Sequence, residues 1–223
     1  MTIIGEPQRL YLSKRHKKAY NIKYDIYEFV SNNIQKNCRI LEMFGGIGIM
    51  THFLVENAAP FLDRVYEIDP LCADFLKKTY NGYENVEIIE GDSFQESLDF
   101  DYIFIDGSNF SASNMETYKP LLELLSLKSG EVFITDSGYF HMRYTKAAER
   151  PEAIQKYYDN YKQIFLKYGL NLSKVFIGNE FAVLHLVRDP VPNMLFQFWT
   201  DETKEWEKTV TKFNSFQWNY KGK

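Results

Sequence analysis

Several features that would assign a protein to a class at once are missing from this chain. Its 223 residues include only two cysteines, Cys38 and Cys72, without metal-ligand spacing and too few for a disulfide framework. No apolar run reaches the length of a membrane span, and the first residues lack the charged and apolar regions of a signal peptide. We therefore expect a cytoplasmic protein with no membrane contact.

A strong positive charge is also missing. The net charge is −4, so the protein as a whole is not a polyanion binder. Residues 1–37 nevertheless carry seven Lys or Arg and three acids, which gives +4 and leaves −8 for the remainder. This arm predicts either a nucleic-acid contact or a solvated leader, and the sequence leaves both open.

A glycine turn is the most informative positive feature. The apolar segment Arg39–Met43 ends in Phe44-Gly45-Gly46-Ile47-Gly48, and a helical pattern follows. Glycines are required where a ligand approaches so closely that a Cβ would collide with it. The dinucleotide fingerprint GxGxxG does not fit, because Thr51 stands where it needs a small residue, and the chain has no GxxxxGK[ST] phosphate loop.

A second strand adds an acid to this turn. Nineteen residues after Gly48, the segment Arg64–Ile68 ends in Glu67-Ile68-Asp69-Pro70. A carboxylate at that position suits the diol of a ribose. The turn and the acid together predict a nucleoside-containing cofactor at the switch point of an α/β sheet.

These residues resemble motifs I and II of the class I S-adenosylmethionine-dependent methyltransferases, and Asp92 after Glu90-Gly91 resembles motif III. The resemblance implies that Glu67 accepts from the ribose hydroxyls, Asp92 accepts from the adenine amino group, and Glu42 orients the ammonium group. It also implies the remaining cofactor contacts, which are Phe44, Gly45, Gly46, Gly48, Ile68, Ser93 and Asp106.

Strand and helix patterns alternate from residue 38 onwards. A parallel sheet covered on both faces follows from this order. The last two predicted strands, Leu172–Ile177 and Phe181–Val187, are separated by Gly178-Asn179-Glu180 and form an antiparallel hairpin. We expect a Rossmann-like, doubly wound, mostly parallel sheet with this C-terminal hairpin, over residues 38–188. A helical extension (1–37) precedes it, and an aromatic appendage (189–223) follows.

The strand-four segment favours a particular subgroup. Residues 101–110 and 124–136 resemble the I-D-G-x-H-x-Y and L-L-K-P-G-G-x-x-x-x-D-D segments of small-molecule O-methyltransferases. In several members, acids at the ends of strands four and five hold magnesium, which lowers the pKa of the acceptor hydroxyl. The resemblance assigns that role to Asp106 and Asp136.

The match has departures. Asn109 stands where the subgroup has histidine, Thr135 replaces a second acid, and His141 is the histidine nearest the expected mouth. The catalytic candidates are therefore Asp106, Asn109, Asp136 and His141, although a surface histidine also explains His141. The chain has no Pro-Pro after strand four, which counts against an enzyme that methylates amino groups of nucleic acids. It also has no Pro-Cys, which counts against methylation of cytosine at C5.

The C-terminal appendage holds all three tryptophans, Trp199, Trp206 and Trp218. Trp206, Val210 and Phe213 have helical spacing, so we expect a short helix there. These aromatics either pack as core or form a lid or a contact between two copies of the chain. The sequence as a whole predicts methyl transfer from S-adenosylmethionine to a hydroxyl of a small molecule. An RNA methyltransferase and an inactive, cofactor-binding partner subunit are the alternatives.

Overall fold

The structure is a computed structural model that describes residues 26–106, 110, 112–136, 138–139, 151–178, 182–198 and 218–220. The chain divides into two compact units, Met1–Asp106 and Gly107–Lys223. Each unit has its own sheet segment, and we describe each in turn.

The first unit contains parallel strands in the order β3-β2-β1-β4. The strands are β1 (Arg39–Met43), β2 (Leu62–Glu67), β3 (Val86–Glu90) and β4 (Tyr102–Ile105). β1 pairs with β2 so that Met43 lies opposite Tyr66, and with β4 so that Met43 lies opposite Ile105. Because the strands are parallel, their carboxyl ends share one edge of the sheet, where α/β proteins bind ligands.

Helical segments connect these strands. α1 (Ile49–Phe53) continues as a π-helical turn, Leu54–Ala58, and α2 (Pro70–Thr79) follows β2. Residues 26–31 are also helical, in agreement with the predicted helical extension, and the apolar side chains of Ile26, Phe29 and Val30 are buried.

Asp69 and Pro70 form the start of α2. The side chain of Asp69 accepts hydrogen bonds from the backbone N–H groups of Leu71 (2.9 Å) and Cys72 (3.4 Å). Pro70 then occupies the first turn, where its missing N–H has no intrahelical partner to lose. The helix therefore begins directly beside the end of β2.

The second unit has strands in the order β5-β7-β6-β8-β9. They are β5 (Glu131–Asp136), β6 (Asn171–Ile177), β7 (Ala182–Val187), β8 (Leu195–Phe198) and β9 (Trp218–Tyr220). β7 is antiparallel to β5 and to β6, which confirms the predicted hairpin. A 3₁₀ turn, Ala112–Tyr118, leads into α3 (Lys119–Ser126), and α4 (Pro151–Leu166) precedes β6.

An apolar stripe of α4 packs into this unit. Ile154, Tyr158, Tyr161 and Phe165 are fully buried. Gly169 then adopts a positive φ of 69°, which favours glycine, and the Leu170 N–H donates to the Phe165 carbonyl at 3.1 Å. The chain therefore leaves the helical conformation at this glycine.

The appendage departs from the prediction in part. β8 runs parallel to β6, with Val175 opposite Phe196, and β9 runs parallel to β8. The ring of Phe196 is buried and lies 5.8 Å from the ring of Tyr158. Phe196 is thus core. The helix expected at Trp206–Phe213 and the side chains of the three tryptophans lie outside the described residues.

No helix within the described ranges is long and apolar enough to cross a membrane.

The position of Phe196 yields a stability prediction. Phe196→Ala removes a buried ring from the strand that extends the sheet beside β6, so we expect the free energy of unfolding to fall by about 3–5 kcal/mol. Urea denaturation measures it. Asn193→Ala, at an exposed position of the same segment, is the matched control. Equal stability of the two variants would contradict the assignment of this segment to the core.

Candidate cofactor site

The glycine turn follows β1 and has an unusual backbone. Phe44, Gly46 and Gly48 have positive φ angles of 65°, 58° and 76°. The Gly45 N–H donates to the Tyr66 carbonyl at 2.9 Å, and the Gly48 N–H donates to the Gly45 carbonyl at 2.9 Å. A left-handed conformation at Phe44 is uncommon for a residue with a side chain. The turn is therefore a defined structure, fixed to β2.

The three glycines serve different purposes. A Cβ on Gly45 would lie 2.3 Å from Cγ1 of Val65, and one on Gly48 would lie 2.6 Å from Cδ2 of Leu76. These two glycines are required by packing against β2 and α2. A Cβ on Gly46 meets no atom within 4 Å among the described residues. Of the three, Gly46 is the one that leaves open space beside its backbone, as a bound cofactor would need.

The carboxylate of Glu67, at the end of β2, accepts hydrogen bonds from two backbone N–H groups. Its Oε2 accepts from the Gly46 N–H at 2.5 Å, and its Oε1 accepts from the Asp69 N–H at 2.7 Å. The residue is 6% exposed. Each carboxylate oxygen has a second lone pair, so the group retains acceptor capacity for two hydroxyls.

Asp92 lies at the end of β3, close to Glu67 along the sheet edge. The Gly91 N–H donates to the backbone carbonyl of Glu67 at 3.1 Å. Oδ1 of Asp92 accepts from the Phe94 N–H at 2.9 Å and opens a 3₁₀ turn, Ser93–Gln95. Its Oδ2 accepts no hydrogen bond from the described residues, and Asp92 is exposed. This oxygen is available to an external donor.

Two large apolar side chains are exposed next to these acids. Ile68 follows Glu67 and is 70% exposed, and Phe94 lies two residues after Asp92 and is 38% exposed. Ser93, which lies between Asp92 and Phe94 in the sequence, is buried. Exposed apolar surface beside hydrogen-bonding groups is typical of a ligand site, and it suits a purine ring.

Glu42 and Asp63 form a buried pair of acids beneath the turn. Both are at most 2% exposed, and no Lys, Arg or His of the described residues forms an ion pair with either of them. Burial raises the pKa of Glu42 well above its ordinary value, and the nearby charges of Asp63 and Asp106 raise it further. Burial raises the pKa of Asp63 to about 7. The pair therefore retains a proton near neutral pH.

Asp106 follows β4 in the same unit. Its backbone N–H donates to the Met43 carbonyl at 3.3 Å, which places it beside the end of β1 where the glycine turn begins. Its carboxylate also raises the pKa of Glu42, so the two acids are close. The sequence-predicted residues Glu42, Gly46, Glu67, Asp92 and Asp106 thus all lie in the first unit.

Asp136, in the second unit, is buried in a cluster of tyrosines. Oδ1 accepts from the Tyr161 hydroxyl (2.8 Å), the Tyr157 hydroxyl (3.1 Å) and the Gly138 N–H (2.9 Å). Burial raises the pKa of Asp136 to about 6, although these hydrogen bonds lower it. The burial that raises the pKa values of Tyr157 and Tyr161 keeps both phenols protonated as donors. These contacts give Asp136 a structural role that its motif did not predict.

The other two catalytic candidates, Asn109 and His141, lie outside the described residues and stay predictions. Sequence reasoning missed Asp63, Arg64 and Glu96. The available signal for Asp63 was an acid directly before a predicted apolar strand. Arg64 and Glu96 have no such signal, because their pairing depends on how the loop after β3 folds.

Comparison with known proteins gives partial matches that include the residues of this site. Residues 26–119 match the family model of ribosomal RNA adenine dimethylase. The ribosomal RNA small subunit methyltransferases A of Streptococcus thermophilus and Streptococcus pyogenes are 35% and 34% identical over 65 residues. That segment is 29% of this chain and 22% of each relative, so the chain matches about a fifth of the relatives' length.

Solved structures with the same fold cover most of the chain. Magnesium protoporphyrin IX methyltransferase from Synechocystis, solved with bound SAH, has a TM-score of 0.56 at 12% identity, covering 82% of this chain and 92% of its own. A SAM-dependent methyltransferase from Aquifex aeolicus has a TM-score of 0.54 at 18% identity, covering 82% and 98%. The chain has the class I S-adenosylmethionine-dependent methyltransferase fold. The predicted fold class is therefore confirmed, whereas the small-molecule O-methyltransferase subgroup is not.

The buried acids generate a prediction on pH and stability. Because the folded pKa of Asp63 lies above its unfolded value, the native state holds more protons than the unfolded chain from about pH 4 to pH 7. The free energy of unfolding contributed by this group therefore falls as the pH rises through that range. Asp63→Asn should make this decline shallower and increase stability at pH 8 by about 1–3 kcal/mol.

Thermal and urea unfolding between pH 4 and pH 8 measure this effect. Asp99→Asn, which changes an exposed aspartate of the same unit, should retain the wild-type pH dependence. An Asp63→Asn protein with the wild-type slope would show that the buried pair does not take up the proton.

Proposed function

We propose that this protein transfers a methyl group from S-adenosylmethionine to RNA, with the amino group of adenine as the first acceptor to test. The observation that carries the proposal is the match of residues 26–119 to the ribosomal RNA adenine dimethylase model. That range contains the glycine turn and the acids Glu67, Asp92 and Asp106. It therefore includes the whole candidate cofactor site.

The residues of the first unit fit S-adenosylmethionine. The open backbone at Gly46 suits close approach of the cofactor. The buried Glu67 carboxylate, oriented by two N–H groups, suits the ribose hydroxyls, and the open Oδ2 of Asp92 suits the adenine amino group. Ile68 and Phe94 offer apolar contacts to the ring. Glu42 is buried under the turn and its pKa is raised, so its contact with the ammonium group stays a prediction.

When bound, S-adenosylmethionine supplies a methyl group activated by its sulfonium. The contribution of this chain is alignment, because the positive charge passes from the sulfur to the acceptor nitrogen and no new charge is created as the methyl group is transferred. The methylated nitrogen then releases a proton. Asp106 is the acceptor-orienting candidate, since it lies beside the glycine turn at the end of β1. Its carboxylate can accept a hydrogen bond from an amino group and hold the nitrogen lone pair in line.

RNA replaces the small-molecule hydroxyl as the preferred acceptor because the family model and the curated relatives are RNA methyltransferases. The chain still lacks the Pro-Pro motif after Asp106. The aromatic residue nearest that position, Phe110, is buried against Tyr118, Tyr161 and Phe165 and is not exposed for base stacking. An RNA base would therefore be held differently from the motif's usual arrangement.

The residues described do not fit a magnesium ion well. Oδ1 of Asp136 is occupied by two tyrosine hydroxyls and a backbone N–H, which are donors rather than co-ligands. No group of three His, Cys, Asp or Glu side chains suited to a metal occurs in the described part of the chain. The assignment of Asp106 and Asp136 as metal ligands stays a prediction.

The deciding experiment is methyl transfer from labelled S-adenosylmethionine to ribosomal RNA, DNA and a panel of hydroxylated small molecules, each with magnesium or with a chelator. Label in RNA that digestion assigns to methylated adenosine supports the proposal. Label in the small molecules alone would restore the hydroxyl acceptor. Cofactor binding without any transfer would favour the inactive partner subunit, and loss of transfer with chelator would restore the metal.

Glu67→Gln tests the cofactor site. The amide nitrogen of glutamine cannot accept a hydrogen bond, so the variant loses part of the acceptor set for the turn and for the ribose. We expect binding of S-adenosylmethionine to weaken by about 1–3 kcal/mol in calorimetry. Glu90→Gln is the control, because Glu90 lies opposite Glu67 in the strand register but is exposed. Wild-type affinity in Glu67→Gln would remove Glu67 from the site.

Asp106→Asn tests the acceptor side. We expect turnover on RNA to fall about a hundredfold, the usual scale for a catalytic proton acceptor, with a much smaller change in the cofactor dissociation constant. Single-turnover kinetics and calorimetry separate the two quantities, and Asp99→Asn serves as the control. A parallel loss of cofactor binding would instead place Asp106 in the cofactor site.

A further inference from the structure

A buried ion pair anchors the loop that follows β3. Oε2 of Glu96 accepts from Nη1 of Arg64 at 2.8 Å and from the Tyr66 hydroxyl at 3.1 Å. Oε1 of Glu96 accepts from the Leu98 N–H at 2.8 Å. The side chain of Glu96 is 4% exposed and that of Arg64 is 17% exposed. Both carboxylate oxygens are thus hydrogen-bonded within the fold.

The anchor is connected to Asp92 through a single turn. The Glu96 N–H donates to the Ser93 carbonyl at 3.1 Å, and the Gln95 N–H donates to the Asp92 carbonyl at 3.3 Å. The Phe94 N–H in turn fixes Oδ1 of Asp92. Few side chains of this loop are buried, so the position of the Asp92 carboxylate depends on where Glu96 is held.

The anchor also fixes this turn to the strand that carries Glu67. Arg64 and Tyr66 lie on one face of β2, whereas Asp63, Val65 and Glu67 lie on the buried face. Arg64 has further support, because its Nε donates to Glu87 at 2.7 Å and its guanidinium lies 5.9 Å from the centroid of the Phe100 ring. Burying a carboxylate is unfavourable unless it is paired, and an apolar residue would anchor the loop at lower cost. Unlike an apolar contact, the hydrogen-bonded ion pair fixes the direction of the loop, which indicates that the orientation of Asp92 matters.

We propose that Arg64, Tyr66 and Glu96 are positioning residues that orient Asp92 and so set a preference for adenine over hypoxanthine in the bound cofactor. The inference rests on the proposed function, since it assumes an S-adenosyl ligand. Adenine presents an amino donor where hypoxanthine presents a carbonyl acceptor. A carboxylate oxygen can only accept, so a fixed Asp92 attracts the first and repels the second.

The test compares the dissociation constants of S-adenosylhomocysteine and S-inosylhomocysteine, measured by calorimetry. Wild-type protein should bind the adenosyl compound more tightly. Glu96→Gln, which loses the charge that orders the loop, should reduce this preference about tenfold, with most of the loss in the adenosyl compound. Glu87→Gln changes the exposed partner of the same arginine and should leave the preference unchanged.

A folded Glu96→Gln protein with the wild-type preference would overturn the inference and leave the proposed function intact. A wild-type protein that binds both compounds equally would also overturn it, because Asp92 would then not read the base. Binding of neither compound by the wild type would contradict the proposed function itself.

If Glu96→Gln does not fold, Tyr66→Phe decides the matter. It removes one hydrogen bond to Glu96 and retains the ion pair, and it should lower the preference about threefold. An unchanged preference in a folded Tyr66→Phe protein would reject the network as an orienting device. Unfolding curves for each variant separate a change in preference from a general loss of stability, which would weaken both compounds alike.

Discussion

The hydrogen bonds of Glu67 join the three segments on which the candidate cofactor site depends. Its carboxylate accepts from Gly46 in the glycine turn and from Asp69 at the start of α2, and its backbone carbonyl accepts from Gly91 at the end of β3. A carboxylate held in this way has its remaining lone pairs already directed. Such preorganisation avoids reordering the site when a ligand binds.

Strand β2 supports the site from both of its faces. On the buried face, Val65 leaves room for a glycine and no larger residue at position 45, which brings the turn close to the strand. On the same face, Asp63 is buried next to Glu42 of β1, and no cation among the described residues pairs with either acid, at a cost in stability above neutral pH. On the other face, Arg64 and Tyr66 hold the loop that carries Asp92. One strand thus packs against the glycine turn, contributes a buried acid and anchors the loop that carries Asp92.

Local sequence patterns predict the elements but not the network between them. The bounds of β1 agree with the prediction, because it is a short apolar run that ends at a glycine turn. β2 begins two residues earlier than predicted, since the acid at position 63 does not suggest a strand interior. β8 was not predicted, because it depends on parallel pairing with the distant strand β6 rather than on a local turn. The Arg64–Glu96 pair was not predicted either, because it also joins residues that are distant in the sequence.

The choice of acceptor shows the same division between local and distant features. The motifs of the cofactor site lie wholly in the first unit, and they predict a methyltransferase fold whatever the acceptor is. The strand-four motif favoured a small molecule, whereas the match over residues 26–119 favours RNA.

Fold cores fix the cofactor, and appended segments and loops select the substrate. That match ends early in the second unit, whose buried Asp136–tyrosine cluster stabilises α4 against β5. Determinants of the acceptor are therefore to be sought in the loops of the second unit and in the basic N-terminal arm, rather than in the residues of the candidate cofactor site.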